Sequence, residues 1–66
     1  MNQHDVGLFI ASKRGEKNLT QEQLANILKV SRQSVSKWET GVATPDLSFI
    51  IPLARLFGIS TDALLG

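Results

Sequence analysis

The sequence has no cysteine and no tyrosine, one histidine, one tryptophan and only two prolines. Without cysteine there is no disulfide framework, no thiolate metal site and no cysteine nucleophile. The single histidine, His4, stands close to the N-terminus and reads as a surface residue rather than a metal ligand or half of an acid–base pair. No residue set supports an enzyme, and none calls for a cofactor. No apolar run approaches the roughly 20 residues needed to span a bilayer. No basic stretch precedes an apolar one in the manner of a signal peptide, so the expected location is the cytoplasm. A large excess of charge of one sign is also missing, since the formal net charge is +1.

What remains is a chain of 66 residues, 42% of them hydrophobic. That suits one domain, residues 1–66, with a small core; domains of this size bury only ~60% of their unfolded surface. The charge is unevenly spread. Residues 13–40 carry Lys13, Arg14, Lys17, Lys29, Arg32 and Lys37 against Glu16, Glu22 and Glu39, a net of +3, while each flank is at −1. Positive charge gathered in the middle of the chain says more about a partner than the total does.

No segment alternates apolar and polar residues cleanly, and the apolar spacing is helical throughout. The pattern predicts an all-α chain of five short helices. The first starts after Asp5 as N-cap, carries Val6, Phe9 and Ile10 on one side with Arg14 a turn beyond, and stops at Asn18, a residue that tolerates the left-handed conformation. The second opens on a capping box, Thr20 with Gln23, and a staple of Leu19 on Leu24; Leu24, Ala25, Ile27 and Leu28 form its apolar stripe. The third is capped by Ser31, pairs Val30 with Val35, and runs to about Thr40, where Gly41 allows a sharp exit. Only Lys29 and Val30 lie between these two helices, so they must turn steeply. The fourth begins at Thr44-Pro45-Asp46, with either Thr44 or Asp46 as cap. Leu47, Ile50, Ile51, Ala54 and Phe57 trace its buried side, Pro52 kinks its first turn, and Gly58 closes it. The fifth is capped by Ser60, staples Ile59 to Leu64, and ends at Gly66. Asp46 and Asp62 read as helix-start residues rather than catalytic carboxylates.

The run TQEQLANILKVSRQSVSKWETG, residues 20–41, resembles the helix-turn-helix of the Xre/Cro/C1 repressor family, the lambda-repressor-like fold. The tail PDLSFIIPLARLFGISTDALLG resembles the fourth and fifth helices of that family, so the resemblance covers nearly the whole chain. The block combines the Thr-Gln start, the Leu24-Ala25 pair, Val30-Ser31, Val35, Trp38 and Glu39-x-Gly41 in register. Lys29 departs from the pattern, standing where glycine is usual. Ala25 is small where the two helices of the motif must cross closely. Leu24, Leu28, Val35 and Trp38 form the apolar side that docks the motif on the first and fourth helices.

This leaves Arg32, Gln33, Ser36 and Lys37 on the outward side of the third helix, all hydrogen-bonding residues on an element that fits the major groove. The resemblance implies that Arg32 and Gln33 read bases, with Lys37 one turn on. Gln21, at the N-terminus of the second helix, stands where free N–H groups and the helix dipole favour an anion. The resemblance implies phosphate contact for Gln21 and for Thr40 with Gly41; Lys29, Ser31 and Ser34 are neighbours along the backbone. It also implies a partly buried ion pair, Arg14–Glu39. Lys13 and Lys17 are expected to face solvent. Leu64 and Leu65 either close the core or contribute to a dimer seam.

The expected function is sequence-specific binding of double-stranded DNA by a transcriptional regulator, most simply a repressor. It is expected to act as a homodimer on a palindromic operator, and it could be one domain of a longer regulator. A rival reading keeps the fold but makes it an adaptor for a partner protein. Such an adaptor should show apolar anchors on the outward side of the third helix, where this chain has Arg, Gln, Ser and Lys.

Overall fold

The computed structural model describes residues 3–65, with side chains described for residues 5–64. His4, Leu65 and Gly66, singled out in the sequence, therefore lie outside the described side chains. Among the described residues there are five α-helices and no strand: α1 (Gln3–Glu16), α2 (Gln21–Leu28), α3 (Arg32–Thr40), α4 (Leu47–Phe57) and α5 (Thr61–Leu65). None is long and apolar enough to cross a membrane.

Helix starts follow local side-chain chemistry. Thr20 and Gln23 form the full capping box, with the Thr20 hydroxyl accepting from the Gln23 N–H at 3.0 Å and the Gln23 amide oxygen accepting from the Thr20 N–H at 2.9 Å. Ser31 caps α3 by accepting from the Ser34 N–H at 3.1 Å. Asp46, not Thr44, caps α4; its carboxylate accepts from the Ser48 N–H and hydroxyl at 3.1 and 2.8 Å. At α1 the expectation needs correcting. The helix begins at Gln3, and Asp5 sits in its first turn rather than at the cap. An acidic residue is favourable in either place, because both face the positive end of the helix dipole.

Four helices end in one way. Asn18, Lys29, Gly41 and Gly58 adopt left-handed backbone, with φ of 57°, 60°, 79° and 68°. In each case the next residue donates its N–H back to the carbonyl five residues earlier: Leu19 to Arg14, Val30 to Ala25, Val42 to Lys37 and Ile59 to Ala54. The paired return bonds are those of the Schellman turn, and the apolar residue after the turn folds back over the helix. Leu19, Val30 and Ile59 are at least half-buried, whereas Val42 is 70% exposed.

One fully buried side chain from each helix meets in the core: Ile10, Leu24, Val35, Leu53 and Leu64. Leu64 thus closes the core and is not available to a dimer seam. Val6, Ala25, Leu28, Trp38, Ile50, Ala54 and Phe57 surround this centre. Trp38 is a core residue, tilted against Phe49 at 5.5 Å.

Three expected core positions are wrong. Ile27, Leu47 and Ile51 are 50%, 64% and 48% exposed, and Leu53, absent from the expected stripe, is wholly buried. The buried side of α4 is Ile50, Leu53, Ala54 and Phe57, spaced i, i+3, i+4, i+7. At about 100° per residue, Ile51 falls some 60° beyond the Ala54 edge of that stripe, and Leu47, near the same edge, is the first residue of the helix. Likewise Ile27 is rotated away from Leu24, Ala25 and Leu28 on α2. Helix α4 continues through Pro52. The bond proline deletes is the one to the Ser48 carbonyl, in an exposed first turn where water can replace it.

Candidate nucleic-acid interface

Helix α3 packs chiefly against α1 and α2. Its inner side is Val35, Trp38 and Glu39, all buried. Gln33, Ser36, Lys37 and Thr40 recur at i, i+3, i+4, i+7 along the opposite side, and Arg32 stands at the first helical position. Arg32, Gln33, Lys37 and Thr40 are exposed and Ser36 is half-buried. Gln33, Ser36 and Lys37 therefore share the outward side of the helix, whereas Arg32, expected there too, stands exposed at its N-terminal end on the flank next to Glu39.

The backbone-contact candidates are arranged around this stripe, at the two ends of α3 and the N-terminus of α2. Lys29 is exposed in the turn, at φ 60°. The hydroxyls of Ser31 and Ser34 lie 3.0 Å apart. Thr40 donates its hydroxyl to the Ser36 carbonyl of its own helix at 3.0 Å, which leaves the oxygen able to accept only. Gly41 supplies the left-handed exit of α3. Lys13 is partly committed elsewhere, 3.6 Å from Glu16 and 5.5 Å from the centre of the Phe9 ring. Lys17 is exposed, as expected.

Beneath the stripe runs a charged network. Arg14 donates from Nε and Nη2 to the two Glu39 oxygens at 2.7 and 3.1 Å, and from Nη1 to the Leu19 carbonyl at 2.7 Å. The expected ion pair is therefore present and bidentate. The Glu39 side chain is 6% exposed and that of Arg14 21%. The hydrogen bond to Glu39, aided by the opposite charge, raises the Arg14 pKa above its ordinary value despite burial. Glu39 also accepts from the Gln21 side-chain amide at 3.0 Å, a bond the sequence reading missed. Gly7 was missed as well. A Cβ there would lie 2.1 Å from the Trp38 carbonyl oxygen and 2.8 Å from that of Glu39. Only a glycine lets α1 touch the backbone of α3. The sequence did hold the signal, a glycine inside a helical pattern at i+7 spacing from Arg14.

The comparisons with known proteins agree with this fold. A family model described as helix-turn-helix matches residues 10–64. The chain is 46% identical over 52 residues to the HTH-type transcriptional activator BcrR of Enterococcus faecalis, covering 79% of this chain and 26% of that one. It is 40% identical over 52 residues to a prophage-derived HTH-type transcriptional regulator, YonR, of Bacillus subtilis, covering 79% of this chain and 48% of that one. It thus spans half or less of the length of these relatives. Among solved structures, the restriction-modification controller protein C.AhdI of Aeromonas hydrophila superposes with a TM-score of 0.83 at 29% identity, covering 94% of both chains. The chain belongs to the helix-turn-helix family of the Xre/Cro/C1 type, a family of DNA-binding transcriptional regulators.

Proposed function

We propose that residues 1–66 form one helix-turn-helix domain that binds double-stranded DNA sequence-specifically, with α3 in the major groove and α2 across the backbone. The observation that carries this reading is the exposed polar stripe of α3, held outward because Val35, Trp38 and Glu39 anchor the other side. Arg32 and Gln33 read bases, since guanidinium and amide groups bond guanine and adenine edges in bidentate fashion; Ser36 and Lys37 extend the readout along the groove. Gln21, Lys29, Ser31 and Ser34 meet phosphates and set the register; Thr40 joins them by turning its hydroxyl proton from the Ser36 carbonyl to a phosphate, and Gly41, without a side chain, lets the backbone approach closely.

The domain acts in the cytoplasm as a homodimer on a palindromic operator, with half-sites about one helical turn, ~34 Å, apart. Repression is the simplest outcome, because occupying a promoter requires DNA affinity alone. The relative BcrR is a transcriptional activator. No metal or cofactor enters this reading.

Selection of bound sequences from a random duplex pool tests it. The expected result is an enriched palindrome. Arg32→Ala or Gln33→Ala should relax one or two positions per half-site, with each lost contact worth about 1–3 kcal/mol of discrimination. Gln21→Ala should instead weaken all sequences about equally. No enrichment, together with weak binding that is insensitive to salt, would point to the protein-binding adaptor.

A further inference from the structure

Gln21 is the first residue of α2 and half-buried, with its Nε2 donating to Glu39 Oε1 at 3.0 Å. A carboxylate only accepts, so the amide has one orientation, nitrogen toward Glu39. The second N–H of that nitrogen and the amide oxygen remain for a partner. Glu39 is itself held by two bonds from Arg14, and Arg14 also grips the Leu19 carbonyl two residues before Gln21. Thr20, which forms the capping box with Gln23, lies between those two points. Both the backbone entering α2 and its first side chain are thus tied to the end of α3.

We infer that Glu39, backed by Arg14, is a positioning residue for the phosphate contact of Gln21; the inference rests on the DNA-binding reading above. A free glutamine must lose its rotamer freedom when it meets a phosphate, whereas Gln21 has lost much of it already. The two possible roles of Glu39 predict effects of opposite sign. Acting only as a negative charge beside DNA, Glu39 would repel it, and neutralising it would tighten binding. Acting as a holder of Gln21, its neutralisation weakens binding.

The test is anisotropy titration of a labelled 20-base-pair random-sequence duplex at low salt. It compares the parent, Gln21→Ala, Glu39→Gln and the double variant, each checked for folding by circular dichroism. Gln21→Ala should weaken binding about tenfold, the loss of one hydrogen bond to a charged group. Glu39→Gln should weaken it by several-fold, and the double variant should bind about as well as Gln21→Ala alone. Equal or tighter binding by Glu39→Gln, with the full Gln21→Ala loss persisting in that background, overturns the inference and leaves the DNA reading intact. If the parent does not bind the duplex, both fall. The NMR signal of the Gln21 side-chain amide in the parent needs no variant. A rigid, exchange-protected amide supports the inference, and one as mobile as an exposed glutamine overturns it.

Discussion

The two described glycines of α1 have opposite meanings. Each costs its helix about 0.5–1 kcal/mol relative to alanine. At Gly7 the cost is met by contact, because α3 carbonyls occupy the space a Cβ would need. Gly7→Ala should destabilise by at least about 1–3 kcal/mol, since backbone cannot yield as a side chain tip can; urea unfolding checks this. Gly15 has nothing within 4 Å of its virtual Cβ, so Gly15→Ala should stabilise by about 0.5–1 kcal/mol and raise Tm by a few degrees. Asp46 supplies a pH signature. The Ser48 hydroxyl and N–H hold its carboxyl below the usual carboxylate range. A depressed folded pKa contributes stability above the unfolded value, about 3.9, that is lost as pH falls through the folded one. Asp46→Asn keeps a cap without the charge, so its Tm should fall less steeply than the parent's between about pH 5 and pH 2.

At the scale of elements, the turn between α2 and α3 is the instructive one. Lys29 holds φ 60°, a conformation that costs a residue with a Cβ about 1–2 kcal/mol. Lys29→Gly should raise stability by about 1 kcal/mol in urea unfolding. It should also weaken duplex binding and shrink the salt slope by about one. Stabilisation with unchanged DNA affinity would remove Lys29 from the interface. The termini of α2 and α3 were legible because caps and stops are local: one side chain meets a backbone group two or three residues away. The face of α4 was not legible. Its sequence LSFIIPLARLF is apolar nearly all round, so periodicity offers several stripes and only packing against the rest of the core selects Leu53 over Leu47 and Ile51.

Across the whole molecule, the Arg14–Glu39 pair joins the end of α1 to the end of α3, and through Leu19 and Gln21 to the start of α2. Removing either partner should destabilise, but unequally. Arg14→Met strands a carboxylate that is 6% exposed and strips the Leu19 carbonyl of its donor; about 3–5 kcal/mol is expected. Glu39→Met leaves an Arg14 side chain that is already 21% exposed and whose guanidinium can turn toward water, and a smaller loss of about 1–3 kcal/mol should follow. Thermal unfolding of both variants decides, and a larger loss in Glu39→Met would contradict this account. The pair was expected from family resemblance. The third hydrogen bond on Glu39, from Gln21, was not, because no local pattern links positions 18 residues apart.

By itself the sequence determined the class, the number of helices, most of their ends and the polar character of α3. These depend on short-range chemistry: 3.6-residue periodicity, caps, and residues that tolerate left-handed backbone. Tertiary structure alone decided which of several apolar stripes is buried and where helix backbones touch at Gly7. It also decided how a buried carboxylate comes to hold the first side chain of α2. Those outcomes are contests between distant groups for one small interior, and a contest of that kind has no record in the spacing of neighbouring residues.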